Sequence, residues 1–446
     1  MKKLLALTLA VLLTGALLAG CGSSDSSSAA ESSKSESKTE SPSGDSKAPE
    51  SSSAAESETE SKEDSQSEEV RYPAADAPFD PASGMTENML ARSVHYEGDT
   101  SRLKAKLTQL YDADFEGQTN IVFLGDSITA GSGAKNARNA FWSRISEWLD
   151  DTVESLCICR NAGIGATDSY LGVHRVDKDV LSLEPDIIFI EFINDRDDSF
   201  YKASMESLIR KCLAAPKNPA VVLVEMTLKG GGNCQNAHTA AAEAYGVPVL
   251  SYHDAAAPEV EAGNFSFDAI SDDGTHPNDI GHGWVADIIK HFLEKVRTEA
   301  GQGEVTAFDP STPSVTGDKY ANAGIYDKDS AGVTASPDEN FTLETTPWNF
   351  KKGWATDNGG SITFEAEFRN FGLLYYKTTD GKTGIATIEI DGEKVGYVDG
   401  NFPNGWGDYP ASEEVYTSDE AKKHTVTITV RDGDKKHFEI LSLLMS

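Results

Sequence analysis

A serine hydroxyl becomes a nucleophile only beside a base, the base needs an orienting group, and the oxyanion formed needs donors. The 446-residue chain offers such groups in four places. Ser127 ends Ile121-Val-Phe-Leu-Gly-Asp-Ser127, an apolar run that stops at a Gly-Asp-Ser turn. Asn161-Ala-Gly-Ile-Gly-Ala-Thr167 is a loop in which Gly163 and Gly165 let backbone N–H groups approach a substrate closely. Asn194, just ahead of Asp195, offers a side-chain amide. In Ser271-Asp-Asp-Gly-Thr-His-Pro-Asn278, Asp273 and His276 are three residues apart. Within one turn that spacing lets the carboxylate reach one ring nitrogen and leaves the other for Ser127. Alone, Gly125-Asp126-Ser127 reads as a capped turn supported by Asp126. The base and donors downstream make Ser127 a candidate nucleophile.

These residues need a frame that brings them together. Ile121–Leu124, Val153–Cys159, Ile187–Ile193, Ala220–Met226 and Val247–Tyr252 are short apolar runs with the character of buried strands. Helical spacing lies between them, over Arg138–Asp150, Asp168–Val180, Lys202–Leu213 and Gln235–Tyr245, and a closing helix covers Asp279–Val296. Met89–Ser93 with Leu103, Leu107 and Leu110 continues that spacing upstream. Strands alternating with helices give a parallel sheet covered on both faces, with ligands at the carboxyl ends of the strands. After Thr298 the pattern changes to polar–apolar alternation, as in Ile362–Phe368 and Val426–Val430, with a hairpin at Ile388–Val395. Only Thr417–Lys422 there has any helical character, so residues 318–446 are expected to form a separate all-β domain, a sandwich.

At the four blocks the chain resembles the SGNH (GDSL-type) hydrolases, over roughly residues 88–297. The resemblance implies a flavodoxin-like α/β/α sandwich with a parallel five-stranded sheet. It also implies Ser127 as nucleophile, His276 as general base and Asp273 as its orienter. The oxyanion would be held by the N–H of Ser127, a loop N–H from the second block and the Asn194 amide. Two departures stand out. The second block's glycine falls on Ala166, which keeps a usable N–H if its φ is negative; Gly165 is the other candidate. The third block reads Phe192-Ile-Asn-Asp195, where the family has Gly-x-Asn-Asp. The β domain resembles the jelly-roll accessory modules found beside carbohydrate esterases. Its Trp348, Trp354, Trp406 and Tyr409 can stack on sugars or simply fill cores and pin loops.

The N-terminus addresses location. Met1-Lys-Lys3 followed by apolar Leu4–Leu18 reads as an export signal. Leu18-Ala-Gly-Cys21 resembles a bacterial lipobox, which implies cleavage after residue 20 and lipidation of Cys21. Residues 21–70 are Ser- and Glu-rich and too polar to fold, a tether on the order of 40 Å in end-to-end distance. The expected order is a signal at 1–20, a tether at 21–70, a hydrolase domain with its lead-in at 71–300, a linker at 301–317 and the β domain at 318–446.

A net charge of −33 excludes nucleic acid as a partner. No CxxC, Cys/His zinc spacing, HExxH, P-loop or GxGxxG occurs, so neither cofactor nor metal is expected. Cys157 and Cys159 are expected on one side of a strand as small buried residues. His282 is expected at the surface or capping, His238 packed or exposed, and His253-Asp254 too extended to pair. Together these observations describe an exported serine esterase, lipid-anchored to the outer face of the bacterial membrane. It would remove short acyl groups, acetyl first, from an acylated polysaccharide or oligosaccharide. A lipid esterase or lysophospholipase has the same chemistry, and an inactive glycan-binding surface lipoprotein would keep the scaffold alone.

Overall fold

The computed structural model describes residues 75–300, 305–431, 433 and 435–446. The expected signal segment, Cys21 and the tether to residue 70 lie outside the described residues. Thr86 caps helix α1 (Glu87–Arg92) by accepting from Met89 N–H, and a short strand β1 (Val94–Tyr96) follows. Helix α2 (Ser101–Leu110) buries Leu103, Leu107 and Leu110 at spacings of four and three. Strand β2 (Gln118–Gly125) runs into the single-turn helix α3 (Ser127–Ala130), capped by Asp126. Then come α4 (Phe141–Thr152), β3 (Leu156–Gly163), α5 (Ser169–Asp179) and β4 (Ile187–Glu191). They are followed by α6 (Ser199–Leu213), β5 (Ala220–Glu225), α7 (Gln235–Ala242) and β6 (Val249–Ser251). Helices α8 (Tyr252–Glu261) and α9 (Asp279–Thr298) complete this half.

The sheet order is β1-β6-β5-β4-β2-β3. Its five parallel strands are those expected, and β1 adds a sixth, antiparallel to β6 at one edge. Three residues are too few for alternation to announce that strand. The order of the parallel strands reverses between β2 and β4, which opens a crevice outside their carboxyl ends. Successive residues of β2 face opposite layers. Ile121 and Phe123 pack with Leu107, Ile145 and Phe292, whereas Val122 and Leu124 pack with Leu171, Val176 and Leu208. Several boundaries differ from the sequence reading. Strand β3 begins at Leu156 and continues to Gly163, because its ladder with β2 runs on to Gly125. Tyr252 opens a helix rather than ending a strand, and Pro258 inside that helix obscures its period. Thr417–Lys422 is strand, not helix.

That last stretch lies within a long C-terminal strand. The C-terminal half contains β7 (Gly324–Tyr326), β8 (Thr334–Pro337), β9 (Trp354–Thr356) and β10 (Gly360–Lys377). It continues with β11 (Ile385–Ile390), β12 (Glu393–Asp399), β13 (Tyr409–Val430) and β14 (Phe438–Met445). Their order is β12-β11-β13-β10-β14-β7, with β8 on β10 and β9 on β14. Register shifts beside Asn370 and Gly372 bend the long β10–β13 pair. One face of these strands closes on its own core around Phe364, Phe371, Ile388, Ile428 and Ile440. Leu374, Leu441 and Leu444 instead join Tyr170, Val173 and Tyr320 in the core of the α5–α6 layer. Glu206 of α6 fastens the connecting segment, accepting from Val315 N–H at 2.7 Å, Thr316 N–H at 2.8 Å and the Ser314 hydroxyl at 2.8 Å.

Candidate active site

Ser127 stands where β2 ends, at the crevice. Asp126 holds the turn: Oδ1 accepts from Ile128 N–H at 2.9 Å, and Oδ2 accepts from the Asn194 amide at 2.9 Å. One residue beyond the serine's neighbour, the Thr129 hydroxyl donates to Glu191 Oε2 at 2.8 Å, which ties the turn to the end of β4. His276 arrives from the loop before α9. Its Nδ1–H donates to Asp273 Oδ2 at 2.6 Å, so Nε2 is left to accept from the Ser127 hydroxyl at 2.9 Å. The turn keeps itself in shape, since Asp273 Oδ1 accepts from Thr275 N–H and His276 N–H, both at 2.8 Å. Gly133 admits this loop. A Cβ there would lie 2.2 Å from Pro277 O and 2.9 Å from His276 Cβ, and its φ of +89° suits glycine.

Burial pulls the Asp273 carboxyl upward, but hydrogen bonds from the His276 ring and the two N–H groups outweigh it and hold it down to about 2. The carboxylate is therefore charged, able to orient the imidazole and to stabilise it once protonated. The geometry can pass the serine proton to His276 as a nucleophile forms.

The oxyanion candidates divide. No described residue accepts from the backbone N–H of Ser127, Gly165 or Ala166. Gly165 lies against the serine: a Cβ on it would be 3.8 Å from Ser127 Cβ. Ala166 has a φ of 59°, so the condition of negative φ fails and the alanine sits where a glycine would be unstrained. Gly163 belongs to β3 and packs on the backbone of α3, where a Cβ would lie 2.4 Å from Ala130 N. The amide of Asn194 reaches the site, yet its Nδ2 donates to Asp126 Oδ2 at 2.9 Å and to Thr167 O at 3.0 Å.

Residues 123–284 match the GDSL-like Lipase/Acylhydrolase family. A two-domain esterase active on acetylated mannans has a similar solved structure: 31% identity, TM-score 0.73, covering 80% of this chain and 98% of that one. The same esterase co-crystallized with mannopentaose matches with a TM-score of 0.72 at 31% identity, over 80% of this chain and 97% of that one. No curated protein matches the chain. The chain belongs to the GDSL-like lipase/acylhydrolase family. It is a carboxylic ester hydrolase, and the α/β sheet with a C-terminal all-β half is the architecture it shares with the mannan esterase.

Beneath the hydrolase site lies a buried acidic layer that the sequence does not announce. Burial, then the nearby Glu191 charge, pushes Asp126 well up, and burial pushes Glu191 up to about 7. Burial and the Asp195 charge raise Asp168 to about 6. His238 is packed in this layer, with Nε2 2.9 Å from Asp195 Oδ2 and Nδ1 3.0 Å from Glu225 Oε1. His282 is not at the surface. It is wholly buried, accepting from Phe141 N–H at 3.3 Å, with Nε2 3.0 Å from Ser132 O, and so props the α3–α4 loop. His253 and Asp254 do not pair, although they lie on a helix rather than an extended segment. Asp254 meets His95 at 2.6 Å instead. Helical spacing after Asn278 was the available sign for His282: four residues on from the cap, it faces inward with Val285 and Ile289.

The aromatic residues of the β half separate clearly. Trp354 is core, while Trp348 is 81% and Trp406 71% exposed. Tyr409 stacks beneath Trp406 at 4.7 Å. Trp348 borders a cleft of about 230 Å³ whose other wall is Asn161–Ile164 with Lys178 and Asp179. Ser412 of β13 donates to Asp168 at 3.2 Å, so the β half touches the residue that follows the Asn161–Thr167 loop.

Proposed function

We propose that the protein is a serine esterase removing acetyl groups from carbohydrate, with Ser127 as nucleophile, His276 as general base and Asp273 as orienting carboxylate. The observation that carries this reading is the unbroken line of hydrogen bonds from Asp273 through His276 to Ser127 Oγ, at 2.6 and 2.9 Å. Ser127 Oγ attacks the acyl carbonyl carbon while Nε2 takes its proton. The new oxyanion is met by the N–H of Ser127 and of Gly165, with Asn194 alongside once its amide turns toward it. Collapse expels the sugar oxygen, which takes the proton from His276 and leaves acyl-Ser127. Water then gives a proton to His276 and attacks the acyl carbon; the acyl–Oγ bond breaks, Ser127 Oγ takes that proton back from His276, and acetic acid leaves. Carbohydrate as substrate is supported by the mannan esterase, similar over nearly its whole length.

Lipid attachment at Cys21 would keep the enzyme outside the cell on the membrane face, with the Ser- and Glu-rich stretch as its tether. The full chain is assayed on acetylated mannan and on p-nitrophenyl esters of increasing acyl length. Acetyl release from mannan is expected, and Ser127→Ala should lower kcat/KM at least about 10³-fold. Full activity in that variant, or preference for long acyl chains, rejects the reading. Cys21→Ser should shift the protein from the membrane to the soluble fraction of cells; unchanged fractionation rejects the anchor.

A further inference from the structure

Three potential metal ligands converge in the buried layer. Glu225 ends β5, and Cys234 and His238 lie one turn apart at the start of α7. Cys234 Sγ is 3.6 Å from His238 Nδ1 and 3.8 Å from Glu225 Oε2, while Nδ1 lies 3.0 and 3.1 Å from the two carboxylate oxygens. All three residues are buried. Tetrahedral zinc, with bonds of about 2.3 Å to sulfur and 2.0–2.2 Å to nitrogen and oxygen, separates its ligands by roughly 3.4–3.6 Å. Cys234 Sγ also lies 3.3 Å from Phe192 O. The other nitrogen of His238 meets the Asp195 carboxylate at 2.9 Å, the outer contact that fixes the tautomer of a metal-bound imidazole. A single imidazole faces both the Glu225 and the Asp195 carboxyl groups.

We propose that Glu225, Cys234 and His238 bind one divalent cation of the zinc class, with Asp195 orienting His238. Thiolate, imidazole and carboxylate together select zinc over calcium or magnesium, which take all-oxygen sets. Binding releases the Cys234 thiol proton and the Nδ1 proton of His238 to solvent and leaves the imidazole neutral. The site is closed to substrate and acts in structure: Asp195 follows Asn194, so the cation stiffens the end of β4 that borders the serine. The spacing Cys-x-x-x-His within one helical turn lies outside the motifs on which the sequence reading expected no metal. The inference does not depend on the esterase reading.

The test is metal analysis of the full chain purified without chelator. Plasma mass spectrometry should find about one zinc per chain. Cobalt exchange should give the thiolate-to-cobalt charge-transfer band in the near ultraviolet, and added zinc should raise the unfolding midpoint. Cys234→Ser should abolish the band and lower zinc content about tenfold, and His238→Gln should lower zinc content likewise, with circular dichroism unchanged. Less than about a tenth of an equivalent after dialysis against zinc overturns the proposal. So does a band that survives Cys234→Ser, or one that disappears only with Cys157→Ser or Cys159→Ser. Should both pocket variants misfold, the wild-type cobalt spectrum decides: no charge-transfer band overturns it.

Discussion

The two sides of the Ser127–His276 contact are built by opposite means. On the serine side, position comes from the sheet: β2 ends at Gly125, and wholly buried Asp126 and Glu191 lock the turn to β4. On the histidine side, position comes from a surface turn, with the Asp273 side chain 55% and that of His276 26% exposed. The carboxyl groups respond in opposite directions. Burial pushes Glu191 up to about 7, while hydrogen bonds prevail over burial to draw Asp273 down to about 2. The serine is thus fixed by desolvated groups that carry no charge at low pH. The histidine is held by a solvated carboxylate that carries one.

The largest way to break this contrast is Asp273→Asn. It keeps the turn's acceptor but removes the charge that fixes the His276 tautomer. A fall in kcat of about 10²–10⁴-fold is expected. A loss below about tenfold would mean the exposed carboxylate does not orient the base.

Glu191→Gln sharpens the other side. The folded state raises this carboxyl from 4.5 to about 7, so its stabilising contribution is complete below about pH 4.5 and disappears as pH rises through 7. The variant, uncharged throughout, should flatten that decline in denaturant titrations between pH 4.5 and 7. Asp273 has the opposite sign, its contribution present above 3.8 and lost as pH falls through about 2. An unaltered slope in Glu191→Gln would place the proton elsewhere in the buried layer. The smallest effect is Ala166→Gly. Release of the φ of 59° gains about 1–2 kcal/mol, and the freer unfolded chain takes back about 0.4–1. A net gain of roughly 0.5–1 kcal/mol is expected by urea unfolding. Destabilisation would show that the methyl group is held by packing.

What the sequence reveals follows how local the signal is. Asp273 and His276 share one turn, and Gly125-Asp126-Ser127 follows its own strand, so both are legible as short patterns. The five parallel strands are legible as apolar runs. Tertiary partners are not. Nothing near Asn194 in the chain says that its amide will be taken by Asp126 and Thr167. Likewise, the partners of His238 are 43 and 13 residues away. Strand β1 exists only because β6 offers an edge, and β13 is continuous through Thr417–Lys422 because β10 pairs with it there.

The core shared by Tyr170, Val173, Leu374, Leu441 and Leu444 has a thermal consequence. Neither half can expose that face without stripping the other of its apolar cover, and the strap at Glu206 leaves no slack for one half to loosen alone. Heat should therefore be absorbed by residues 75–446 in one peak, with calorimetric and van't Hoff enthalpies equal. Two architectures melt as one cooperative body.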